Sequence, residues 1–426
     1  MTRYLACGLS LSLAMTVTSL GANPYGAPST LPYTSTPYAD GRGGNYYAAY
    51  SPDAEQVEPG IAEPVSPSDD APPVYQPEPY SANNAWDSYG CADGSCNDAC
   101  STGCGTCCGP WYARASALYM TRDDANRFWF AADGANPVDQ VLNNRDAEWD
   151  WEGGWEVSLG RCLSDCTVLE FTYWELGGFN GYANVTDAGD NLLSTLDFGN
   201  VEFGGIDAAL FFDGVGEQRL WRTSEVRNLE LNLWHVPVDT GCGAFKTSLL
   251  AGVRYFNFDN GIRYGSVRSG SNFGDNGGAD EAYLSVDINN HLIGFQIGAD
   301  LEYGIGGGLS VFARPKAGFY ANYMEKSSNL ATGAGVEADT AFGDVYPFDG
   351  SKTDVSFIFE IETGARWQIS QCWSVYASYR AMSVAGIGIA DQNIPFYMAG
   401  AADFREVWSN GDLIVHGGTL GLEYNW

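Results

Sequence analysis

Charged residues recur at alternating positions within runs that are otherwise apolar or small. Glu156, Glu230, Glu360, Glu362 and Asp300 do so, and so do the bases Arg254, Arg314, Lys316, Arg366 and Arg380. Alternation puts such residues on one face of an extended segment, because successive side chains of a strand point to opposite sides. Carboxylates and cations gathered on one enclosed face can filter ions at a constriction. They can also pair across the interior and lock it, since a charge in a low-dielectric space needs a partner. Spacing makes one pair specific: a tight turn at residues 370–372 that sets Ile369 opposite Trp373 also sets Glu362 opposite Arg380.

The other reactive groups are 11 cysteines and 3 histidines. Cys91, Cys96, Cys100, Cys104, Cys107 and Cys108 crowd into one short segment, and Cys162 and Cys166 flank a turn that would bring them within bridging reach. Cys104 and Cys107 have zinc-ligand spacing, but no histidine accompanies them. An oxidising compartment makes disulfides the default, within the chain or to other envelope proteins. No metal and no cofactor is expected. His235, His291 and His416 stand far apart, and neither a Gly-x-Ser-x-Gly elbow nor a His-Glu-x-x-His helix occurs. The expectation is therefore a protein that is not an enzyme.

These residues need a scaffold of strands. Met1-Thr-Arg3 followed by an apolar stretch and small residues reads as a secretory signal peptide over 1–22. Residues 23–90 hold most of the 18 prolines, with no helical or strand period, and read as a disordered, acidic Pro/Tyr-rich linker. The cysteine-rich segment spans 91–110, and the folded domain 111–426. Ten strands are expected there, at 111–121, 153–162, 166–176, 224–236, 244–258, 286–303, 309–322, 354–369, 373–382 and 413–426. Eight to twelve would fit the pattern. Tight turns near 163–165, 237–243, 304–308 and 370–372 alternate with long polar stretches. Asp259-Asn260-Gly261 reads as the turn of a hairpin projecting from one of these. Short and long connections alternate in this way in outer-membrane barrels. After the leader, no segment has the 18 or so continuous apolar residues of a membrane helix, so a spanning form must be a closed antiparallel sheet.

The final strand alternates Leu420, Leu422, Tyr424 and Trp426 against small and polar residues. On the apolar faces Tyr303, Trp367, Tyr424 and Trp426 cluster near the short-turn end, and Trp155, Tyr173 and Tyr379 near the long-loop end. Two such girdles suit the two headgroup boundaries of a bilayer. A formal charge of −32 excludes nucleic acid as a partner.

Three segments, Leu249-Leu-Ala-Gly-Val-Arg-Tyr-Phe256, Leu229-Glu-Leu-Asn-Leu-Trp234 and Gly421-Leu-Glu-Tyr-Asn-Trp426, together with the Cys/Gly-rich leader, resemble planctomycete outer-membrane β-barrel proteins. That group is similar to the Legionella major outer-membrane protein-like, pore-forming family. The resemblance covers 111–426 and implies an outer-membrane location and pore formation. It brings no catalytic residue with it. The partners of such a chain would be outer-membrane lipid, the barrel-assembly machinery, and small ions or solutes. Two functions stay open. One is a narrow, cation-preferring pore. The other is a structural or adhesive envelope protein, whose plugged barrel anchors acidic outer loops and a periplasmic tether.

Overall fold

The computed structural model describes residues 110–124, 126–164, 166–235 and 245–426. The signal-peptide, linker and cysteine-rich readings of residues 1–109 lie outside it, as do Cys242 and the turn at 237–243. The elements in chain order are β1 (Trp111–Arg122), β2 (Trp129–Asp133), β3 (Asn136–Asn143), β4 (Glu152–Ser164), β5 (Thr167–Thr186), β6 (Leu192–Ser194), β7 (Val201–Phe203), β8 (Ile206–Asp207), α1 (Ala209–Phe212), β9 (Glu217–His235), β10 (Phe245–Val267), β11 (Glu281–Gly306), β12 (Leu309–Thr332), β13 (Asp339–Thr340), β14 (Phe348–Gln368), β15 (Trp373–Ile387), α2 (Ala401–Arg405) and β16 (Gly411–Asn425).

Ten of these strands form one closed antiparallel barrel, in the order β1-β16-β15-β14-β12-β11-β10-β9-β5-β4. The closing seam pairs Tyr112 with Asn425 and runs to Arg122 opposite Val415. Trp111 and Trp426 extend it with reciprocal backbone bonds of 3.0 and 2.9 Å. Closure leaves no free sheet edge among the barrel strands, which is what a sheet in hydrocarbon requires. The outward positions are apolar and exposed, as with Phe295 at 76% and Ile297 at 65%.

The strands start where the sequence places them at the short-turn end but run further at the other. β11 has 26 residues and β12 has 24, well beyond the 9–11 or so that cross a bilayer. Asp259-Asn260-Gly261 is not a turn: β10 passes straight through it, with Asn260 opposite Ile288 and Gly261 opposite Asp287. The glycine answers to packing, because a Cβ there would sit 2.5 Å from Asp287 Oδ1 and 2.7 Å from Thr223 Oγ1. The real turn lies over residues 268–280, where Gly270, Gly274, Asn276, Gly277 and Gly278 take positive φ.

Above the strands the long connections fold into a cap. Two three-stranded sheets, β3-β2-β6 and β13-β7-β8, lie over an apolar core containing Phe130, Phe211, Phe212, Tyr264 and Phe404. The Phe198 and Phe212 rings stack at 3.8 Å with planes 2° apart. From sequence these stretches read as polar loops. Each contributes a few apolar residues, and only together do they make a core.

Candidate functional site: a charged belt beneath an apolar plug

The barrel interior is layered. At the short-turn end, Arg114 Nε donates to Glu423 Oε2 at 2.8 Å, and its Nη2 lies 3.2 Å from Glu170. Arg366 reaches Glu302 at 3.2 Å and Glu423 at 3.7 Å. Glu170 also accepts from Tyr112 Oη at 2.5 Å and Trp234 Nε1 at 2.9 Å. Exposure of 15% for Arg366 and 22% for Glu302 makes this layer a half-wet vestibule.

One layer further in, the charges are buried and linked across the lumen. Arg254 on β10 meets Glu360 on β14 at 2.9 Å, although β11 and β12 separate those strands in the wall. Lys316 on β12 meets Glu230 on β9 at 3.1 Å and Glu360 at 3.4 Å. Arg380 on β15 meets Glu156 on β4 at 2.7 Å, on the far side of the closing seam. Arg380 and Glu362 stand directly opposite in the ladder, 3.5 Å apart. Arg314 joins Asp300 at 2.8 Å and Glu362 at 3.8 Å. Glu230, fully buried, takes further bonds from Asn228, Asn232 and Gln296. That many partners is what a buried carboxylate needs to stay ionised.

Above the belt the inward positions turn apolar. Trp174, Phe256, Tyr320, Ile358, Met382 and Leu118 form one buried cluster that continues to Ile387, Ile389 and Leu413. Arg254 Nη2 touches Met382 Sδ at 3.3 Å, where the two layers join. All ten charged residues singled out from the sequence thus face inward. Glu156, Glu230, Arg254, Arg314, Lys316, Glu360, Glu362, Asp300 and Arg380 share the belt, and Arg366 lies in the vestibule. Sequence reasoning missed Arg114, Tyr112 and Trp234, and it expected a plug of salt bridges without the apolar layer above them. The signal was available, because Trp174, Phe256 and Tyr320 share the strand parity of Glu170, Arg254 and Lys316.

The outer girdles hold Tyr303, Trp367, Tyr424 and Trp426 at one level and Trp155 and Tyr379 at the other, all exposed, with Tyr173 half-buried beside Trp155. At the long-loop level Trp155 Nε1 and Tyr173 Oη both donate to Glu175, at 2.9 and 2.6 Å. Tyr379 Oη shares a 2.6 Å hydrogen bond with His416 Nδ1, and Tyr255 does the same with His291 at 2.7 Å.

The expected bridge between Cys162 and Cys166 does not form. Cys166 is a free cysteine. A bulge between Cys162 and Ser164 sets Cys162 opposite Val168 instead, and Cys162 packs inward against Val168, Trp234 and Leu250. Cys162 and Cys372 are both engaged. The candidates Cys91, Cys96, Cys100, Cys104, Cys107 and Cys108 lie outside the described residues.

Closed wall, greasy exterior, aromatic girdles and filled lumen together define a β-barrel of the outer-membrane type. No family model matches the chain, and no curated protein matches it in sequence. Among solved structures it is similar to the outer-membrane protease OmpT from Escherichia coli. The identity is 10%, the match covers 76% of this chain and 100% of that one, and the TM-score is 0.40. The translocator domain of the autotransporter NalP from Neisseria meningitidis matches at 10% identity, covering 75% of this chain and 89% of that one, with a TM-score of 0.30. A major outer membrane protein from Thermus thermophilus matches at 10%, covering 74% and 99%, with a TM-score of 0.27.

Proposed function

We propose that this chain is an outer-membrane protein whose barrel is a plugged anchor. It holds the acidic cap on the outer side and the cysteine-rich leader on the periplasmic side. The observation that carries this reading is the Arg254–Glu360 bridge across the lumen, with both side chains 1% exposed and an apolar cluster directly above. Ten strands enclose little more than the eight that side chains can fill, and far less than the sixteen of an aqueous channel. Outer-membrane lipid surrounds the band between the aromatic girdles, and the barrel-assembly machinery inserts it. Disulfides from the leader to other envelope proteins would complete the tether.

The second reading is a narrow, cation-preferring pore for small ions or solutes. It draws on the partly exposed Glu302 and Arg366 in the vestibule at the short-turn end, and on the resemblance to the pore-forming family. His291 and His416 sit on the outer wall bonded to tyrosines, and His235 is exposed at the short-turn end. Proteoliposome swelling separates the two main readings. The anchor gives no swelling in small sugars, whereas a rate above that of empty liposomes favours the pore.

A further inference from the structure

In the cap sheet β13-β7-β8, Glu202 on the middle strand stands opposite Asp339 on one side and Asp207 on the other. Three exposed carboxylates thus form one row across three strands. Directly opposed like charges are unfavourable in a sheet. Among the described residues, no lysine or arginine forms an ion pair with any of the three. Large apolar side chains lie beside the row. Phe342, Val345 and Phe396 are 52–69% exposed. Val345 stands opposite Asp339, Phe342 follows Ala341, whose N–H bonds the Asn200 carbonyl just before β7, and the Phe396 carbonyl accepts from Asp197 N. An apolar patch of this kind with a charged rim marks a protein–protein contact.

We propose that this face docks a polypeptide surface presenting apolar side chains between lysines and arginines. The proposal rests on the reading that the barrel carries the cap outside the membrane. Charge complementarity selects the occupant, because such a partner would relieve the repulsion along Asp339–Glu202–Asp207 while covering the apolar residues. A second copy of this chain would set the row against itself.

The test uses the full chain in detergent micelles and three synthetic peptides of equal length, alternating Leu/Lys, Ser/Lys and Leu/Glu. The Leu/Lys peptide should bind at least about tenfold more tightly than either control. The triple variant Glu202→Gln/Asp207→Asn/Asp339→Asn should weaken it about tenfold, and so should Phe342→Ser/Phe396→Ser. Asp207→Asn keeps the carbonyl oxygen that accepts from Ala209 N. A control variant on the outer wall, Asp259→Asn/Asp287→Asn/Glu325→Gln, removes as many charges and should change binding less than about twofold. Equal loss in both charge variants, or no Leu/Lys binding at all, overturns the proposal. So does a wild-type dimer that Phe342→Ser/Phe396→Ser disperses. Binding is read at the cap whether or not the lumen conducts, so failure here leaves the anchor reading standing, and an open lumen leaves this one standing.

Discussion

Arg254 reaches across the barrel to Glu360, Nη1 to Oε2 at 2.9 Å, with each side chain 1% exposed. Its Nε also donates to Asn228 Oδ1 at 2.5 Å. Removing one member of a buried pair strands the other, at a cost of about 3–5 kcal/mol, whereas removing both is far milder. Arg254→Met should therefore destabilise by about that amount, with Arg254→Met/Glu360→Leu costing less than the sum of the single changes. Lys316 and Arg380 keep Glu230, Glu156 and Glu362 as partners in the double variant. Urea unfolding in micelles measures the coupling, and strict additivity would rule out a direct bridge.

The outer wall makes a second prediction. Ile297, midway along the outward face of β11 and 65% exposed, should tolerate charge poorly. Ile297→Arg should cost about 2–4 kcal/mol, as for a cation at the midplane of a membrane barrel. Ser351→Arg, on the exposed outer face of β14 above the band and opposite Glu325, should change stability by less than about 0.5 kcal/mol. Equal effects at the two sites would place Ile297 in water.

Lys326 lies beneath the last long connection, where its Nζ donates to the carbonyl oxygens of Glu406 at 2.5 Å and Asn393 at 3.4 Å. Burial pushes its pKa down to about 8, against the pull of Glu406 and Asp403. The unfolded chain keeps this proton up to about 10.5, so between these two values unfolding takes up a proton. Stability should therefore rise with pH across that window. The unfolding midpoint, measured from pH 8 to 10.5, should carry this rising slope in the wild type and lose it in Lys326→Met. An identical pH profile in the two proteins would refute the assignment.

Cys166 has a free thiol and is half-buried at the short-turn end, where Cys162 and Cys372 are engaged. Maleimide labelling of the folded, unreduced protein should fall by one equivalent in Cys166→Ser. Unchanged labelling would mean that this thiol is blocked.

The strand count, the antiparallel closure and the short-turn ends were legible because one side of each strand faces lipid and the other the lumen. Alternation then repeats cleanly, and the turn at residues 370–372 fixes Glu362 opposite Arg380. The outer ends were not legible, because there the pattern fails. Ile262, Tyr264 and Val267 on β10 are buried under the cap, so the strand shows no lipid-facing alternation to mark its end. The cap core is assembled from Phe130, Phe211 and Phe404, which lie in three separate connections, and no local period announces such an assembly. Cys162 and Cys166 were misjudged because a single bulge shifts the register at their turn.

The most direct test of the filled lumen is single-channel recording of the refolded full-length chain in a planar bilayer. The account predicts no resolved conductance steps in the wild type, with ion-permeable events in a variant that thins both layers, such as Arg254→Ala with Phe256→Ala. Stable, frequent steps in the wild type, of either ion selectivity, would contradict it.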